Sequence, residues 1–219
     1  MLKKRQIGLP VILGSALILL FNSVDLNISE PPLLNAPQEV GKKATLELLS
    51  NLLIATEARA GYERELFMTS WSDLDQDGCD SRREVLIAES LTPVELIENC
   101  KIVSGSWYSI YDALETTDPQ YFDVDHFVPL AEAWDSGASR WSNDRRVAFA
   151  NDLTDPDFLI AVSRESNRDK GDRDPAEWLP ILPQTHCWYV TTWVSIKHRW
   201  QLSVDQKEFE EIEKILNKC

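Results

Sequence analysis

Tyr121-Phe122-Asp123-Val124-Asp125-His126-Phe127-Val128-Pro129 decides how the chain is read. Apolar and polar residues alternate along it, as in a half-buried strand, and Pro129 closes the strand because proline has no N–H for a ladder. Working outward, Leu130–Trp134 and Asn143–Ala150 read as short helices. Phe158–Ser163 (FLIAVS) is a compact apolar run that suits a buried strand. The polar segment from Asn167 (NRDKGDRDPAEWLP) reads as helical at first and broken near Gly171. Strand, short helices, strand, helix is an α+β pattern.

The first strand ends on Asp125 and His126; Asn151 follows in FANDL and Asn167 in NRDKG. These residue types suit hydrolysis of a phosphodiester. A neutral histidine can take a proton from water near pH 7. A divalent cation can neutralise charge on the phosphate and the leaving oxygen. Hard cations prefer oxygen ligands, which Asp125 and the Asn167 amide supply without using the histidine. Neighbouring strand residues point to opposite faces, so Asp125 and His126 can approach one phosphate only where the strand ends or twists. Asn151 is placed to bond loop backbone and hold His126.

The ordered run DVDHFVPLAEAWDSGA, RRVAFANDL, LIAVS and NRDKGDRDPAEWLP resembles the secreted His-Asn-His (HNH) nuclease-family proteins of bacteria over roughly residues 60 to 219. The resemblance implies a small ββα-metal core with flanking helices. It also implies metal-dependent cleavage of DNA, with RNA as a further substrate, leaving a 5′-phosphate. By family logic Asp125 and Asn167 hold the metal, His126 is the general base and Asn151 is a brace. Magnesium is the expected ion, with manganese or calcium as alternatives. A recurring arginine corresponds to Arg82, whose guanidinium is suited to gripping a phosphate in two-pronged fashion.

A second signal is Asp73, Asp75, Asp77, Gly78 and Glu84. It fits the calcium-loop pattern D-x-D-x-D-G with glutamate at the twelfth position. Asp80 stands at the eighth position, where an apolar residue is usual. The loop and the acidic charge favour a rival reading, a calcium-stabilised extracellular binding module on an inactive nuclease scaffold. Arg164, Arg168, Lys170 and Arg173 surround Asn167 and are expected to give a modest positive groove, interleaved with Glu165, Asp169 and Asp172.

The rest of the chain sets the context. Lys3, Lys4 and Arg5 precede an apolar run from Gly8 to Phe21, as in a secretory signal. The run is short for a membrane span, which needs about 20 apolar residues. Residues 1–24 are thus read as a signal peptide or anchor, 25–43 as a Pro-containing linker, and 44–219 as the nuclease domain. The protein is expected outside the cytoplasm, touching a membrane only if the leader stays uncleaved, with nucleic acid as partner and no stable protein partner. An amphipathic helix is expected over Ala44–Ala58, another over Arg82–Glu89, and a helical turn from Thr92-Pro93. A capping box at Ser203 and Gln206 should open a C-terminal amphipathic helix. Four cysteines without a CxxC pair favour disulfides over a zinc knuckle. Three connectivities are open; the sequential one, Cys79–Cys100 and Cys187–Cys219, closes the shortest local units. His186 and His198 read as structural or surface residues. The net charge of −14 opposes phosphate binding, so basic groups must be localised or a metal must meet the phosphate.

Overall fold

Antiparallel pairing of β5 (Phe122–His126) with β6 (Leu159–Ser163) forms the centre of the fold, with Asp125 opposite Ile160 and His126 opposite Leu159. The computed structural model describes the chain from residue 38, and its side chains from residue 41. The expected leader and most of the expected linker lie outside the described residues. Within the compact unit Pro37–Cys219, the helical elements are α1 (Gln38–Ser50), α2 (Ser81–Ala88), α3 (Leu130–Asp135), α4 (Asn143–Ala150), α5 (Arg164–Lys170), α6 (His186–Trp200) and α7 (Gln206–Leu216). Two further hairpins pair β1 (Glu95–Ile97) with β2 (Lys101–Ser104), and β3 (Trp107–Tyr108) with β4 (Glu115–Thr116). The protein is α+β with a ββα unit, β5–β6–α5, and two disulfides.

All of β6 and most of β5 are buried, which fits the apolar run LIAVS. Against the sheet pack α5 and α2, while α1, α6 and α7 contact one another. One contiguous core joins them, with Trp107, Trp193, Tyr111 and Phe127 fully buried. The tryptophans thus serve mainly packing. The Ser163 hydroxyl caps α5, and Gly171 ends it at φ 60, a backbone conformation that glycine adopts without cost.

Several local expectations shift. The first helix begins at Gln38, inside the segment read as linker, and ends at Ser50, because Ile54 leaves it to bridge Val204 and the Ala55 N–H donates to the Val204 carbonyl. Thr92-Pro93 leads into the β1–β2 hairpin rather than a helical turn. The capping box is Asp205 with Glu208, not Ser203 with Gln206; Ser203 Oγ donates instead to the Ser136 carbonyl. The disulfides are Cys79–Cys100 and Cys187–Cys219, with Cα separations of 5.2 and 5.8 Å, the sequential pairing.

Candidate active site

β5 divides the candidate residues between its two faces. On one face, Asp125 Oδ2 accepts from the Tyr111 hydroxyl at 2.7 Å and from Lys170 Nζ at 2.6 Å. Lys170 also donates to the His126 carbonyl at 3.1 Å and is wholly buried. Both side-chain bonds fall on Oδ2, leaving Oδ1 outside them. Burial pushes the Asp125 carboxyl up, opposed by Lys170 and by the Tyr111 hydrogen bond. Burial pushes the Lys170 ammonium down, opposed by Asp125. Asn167 lies half-buried in α5, one turn before Lys170, a spacing at which two residues are neighbours on a helix surface.

On the other face, His126 Nε2 lies 2.9 Å from the Ala150 carbonyl. A carbonyl oxygen can only accept, so Nε2 carries the proton and Nδ1 keeps its lone pair. The Trp71 ring stacks on the imidazole, with centroids 4.9 Å apart and planes 5° from parallel. Only 6% of the residue is exposed. Burial pulls the imidazole pKa from 6.5 to about 3; the Ala150 bond opposes this, while Arg64 and Lys170 add to it. The ring is therefore neutral at pH 7.

Asn151 follows Ala150 and ends α4. Its Oδ1 accepts from Ser72 N at 2.9 Å and Ser81 Oγ at 3.1 Å, and its Nδ2 donates to the Val147 carbonyl at 3.0 Å. The residue is 1% exposed. It ties the end of α4, and with it the carbonyl that orients His126, to the chain on both sides of the acidic loop.

That loop brings Asp73, Asp75 and Asp77 carboxylate oxygens within 4.8 Å of one another, all exposed. Asp73 accepts from the Gln76 and Gly78 N–H groups, Asp75 from Asp77 N and Asp77 from Cys79 N. Gly78, at φ 98, allows the turn. Asp80 caps α2 by accepting from Arg83 N, which is why a polar residue stands at the eighth position. Burial raises the Glu84 carboxyl, and so do Asp75, Asp77, Asp73 and Asp80.

Two expectations change. Lys170 belongs to no surface groove, since it is buried on Asp125. The patch is weaker than expected, because Arg164 faces Asp123 at 3.6 Å and Arg173 faces Asp169 at 3.4 Å. Arg82 Nη2 donates to the Phe122 carbonyl at 3.0 Å, at the start of β5. His126 lies four residues further along the strand, about 13 Å away.

Trp71, Tyr111 and the Asp125 contact of Lys170 were not anticipated. Only Lys170 left a trace in the sequence, its helical spacing from Asn167; Trp71 and Tyr111 arrive from distant segments. Asp125 and the Asn167 amide carry the oxygen donors that hard divalent cations prefer, and Lys170 already balances part of the Asp125 charge.

Residues 90–215 match the family described as GmrSD restriction endonucleases, C-terminal domain. An "Uncharacterized secreted protein" of Arthroderma benhamiae, a fungus, is 35% identical over 194 residues, covering 88% of this chain and 93% of the relative. No solved structure matches.

Proposed function

Because the chain belongs to the family of GmrSD restriction endonuclease C-terminal domains, a nuclease family, we propose that it is an exported, metal-dependent endonuclease of the HNH type. It hydrolyses phosphodiester bonds of DNA, with RNA as a further substrate. The observation that carries this reading is the Nε2 contact of His126 with the Ala150 carbonyl, which leaves Nδ1 of a neutral ring free to accept a proton.

In this mechanism His126 Nδ1 takes the proton from the attacking water, whose pKa the cation would lower toward that of the weakly basic buried ring. Trp71 keeps the ring in plane, and Asn151 holds the Ala150 carbonyl in place. Asp125, turned by Tyr111 and Lys170, and the Asn167 amide would hold a divalent cation. Magnesium is the first choice, manganese and calcium the next. The cation would supply charge neutralisation at the phosphate and leaving oxygen. Arg82 acts as a strut between α2 and β5, with its remaining N–H groups available to a phosphate further along the strand.

Export is supported by the two disulfides, by the secreted relative and by the basic-then-apolar N-terminal sequence. No helix among the described residues is long and apolar enough to cross a membrane. The rival reading, a calcium-stabilised binding module without turnover, is favoured by the closely set Asp73, Asp75 and Asp77. Plasmid nicking with and without chelator separates the two. The enzyme should cut only with divalent metal, and His126→Ala should lose 10²–10⁴-fold, the usual range for a general base. Metal-independent cutting, or more than about a tenth of the activity left in a folded His126→Ala protein, rejects the mechanism.

A further inference from the structure

Outside the candidate active site, carboxylates from three other parts of the chain converge on Glu57. Oxygens of Glu57, Glu132 and Asp135 lie within 4.8 Å of one another, and so do those of Glu57, Asp174 and Asp205. Oxygens this close can share one ion at calcium–oxygen distances of about 2.4 Å. The cations present do not balance the group. Lys197 is held by Glu132 and Glu208, and Arg59 by Asp135 and Asp172. Among the described residues Glu57, Asp174 and Asp205 make no ion pair.

Asp135 adds an independent observation. Its side chain is 3% exposed and its Oδ2 is taken by Arg59, yet Oδ1 is buried with no hydrogen-bond partner. An unmatched buried carboxylate oxygen is costly and is unexpected unless something positive faces it. The remaining donors are available as well. Asp174 uses Oδ1 for the Ala176 and Glu177 N–H groups, and Asp205 uses Oδ1 for Glu208 N, leaving the Oδ2 atoms outside these bonds. Partial desolvation, then Glu132, outweighs the attraction of Lys197 and pushes Glu57 up to about 8, and burial lifts Asp174 to about 6 against the same lysine.

We infer a second divalent-cation site here, separate from Asp125 and Asn167, in which Glu57, Glu132 and Asp135 hold a hard, oxygen-liganded ion of the calcium class and Asp174 and Asp205, grouped with Glu57, face it through water. Glu57 is exposed and Asp205 half-buried, so the ion has a path from solvent and room for water ligands. Its structural effect is to fasten the segment after α1 to α3, to the chain beyond α5 and to the start of α7.

The test uses the full chain, stripped of metal, carrying Asp73→Asn and Asp77→Asn to disable the acidic loop. Calcium chloride is titrated by calorimetry, and terbium by tryptophan-sensitised luminescence. Glu57→Gln and, separately, Asp174→Asn are then added. The parent should bind one calcium more than either added variant, or bind it at least tenfold tighter. Saturating calcium should raise the parent's melting temperature by on the order of 5 °C, a rise that the added variants lose. Equal stoichiometry and affinity in the parent and both folded variants would overturn the site and leave a proton shared between Glu57 and Glu132 as the explanation of the cluster.

Discussion

Replacing Asn151 by alanine removes the brace and should cost both stability and rate. The side chain makes three hydrogen bonds while 1% exposed. Ser81 Oγ keeps a second partner, the Ser72 carbonyl. The groups left without this partner are therefore the Ser72 N–H and the Val147 carbonyl. At about 1–1.5 kcal/mol for each buried group stranded, the expected loss is about 2–3 kcal/mol, or on the order of 5–10 °C in melting temperature for a domain of this size. The kinetic loss follows from the geometry, since the end of α4 carries the Ala150 carbonyl that fixes the His126 tautomer. Urea unfolding gives the first quantity, and plasmid cleavage well below the melting temperature gives the second. Cleavage by Asn151→Ala should fall about 10- to 100-fold, less than for loss of the base itself. The decisive measurement is the double variant with His126→Ala. If Asn151 acts through His126, the double variant is no slower than His126→Ala alone. Additive rate losses, or full activity in a destabilised Asn151→Ala protein, would refute the reasoning.

Other perturbations test neighbouring claims. The folded pKa of His126, about 3, lies below its ordinary 6.5, so its stabilising contribution is complete above pH 6.5 and is lost as pH falls toward 3. Between pH 6.5 and 5 the wild type should lose about 2 kcal/mol that His126→Gln does not; parallel stability–pH curves would contradict the buried neutral ring. Lys170→Met strands the Asp125 carboxylate and should cost about 3–5 kcal/mol in urea unfolding. Adding Asp125→Asn should return part of that, and no recovery would mean that Lys170 stabilises by packing alone. Asn167→Ala should lower turnover and raise the magnesium needed with little change in melting, whereas Asp73→Ala with Asp77→Ala should lower the melting temperature in calcium. If the loop variant loses activity at full stability and Asn167→Ala does not, the catalytic metal belongs on the loop.

Elements whose signal is local were legible in the sequence. β5 was marked by alternation and Pro129, α4 by its bounds at Asn143 and Ala150, and β6 by its apolar run. The disulfides were legible too, because sequential pairing closes the shortest loops. Helix α6 was not, since seven of its residues are buried and a helix packed on several sides lacks the single apolar stripe that betrays helical period. The short hairpins at β1–β2 and β3–β4 offer too few residues for a period to register.

The candidate site divides along the same line. Asp125, His126, Asn151 and Asn167 are proposed from the sequence because their order along the chain is itself a pattern. What surrounds them was decided by the tertiary structure. Trp71 reaches His126 and Tyr111 reaches Asp125 from other segments. Lys170 is buried because α5 turns that face onto β5, not outward to a phosphate. The carboxylates around Glu57 become neighbours only when the chain after α1 meets α3 and α7. Periodicity and turn chemistry act between residues close in sequence, whereas burial, charge pairing and the pKa values they set depend on which distant segments the core brings together.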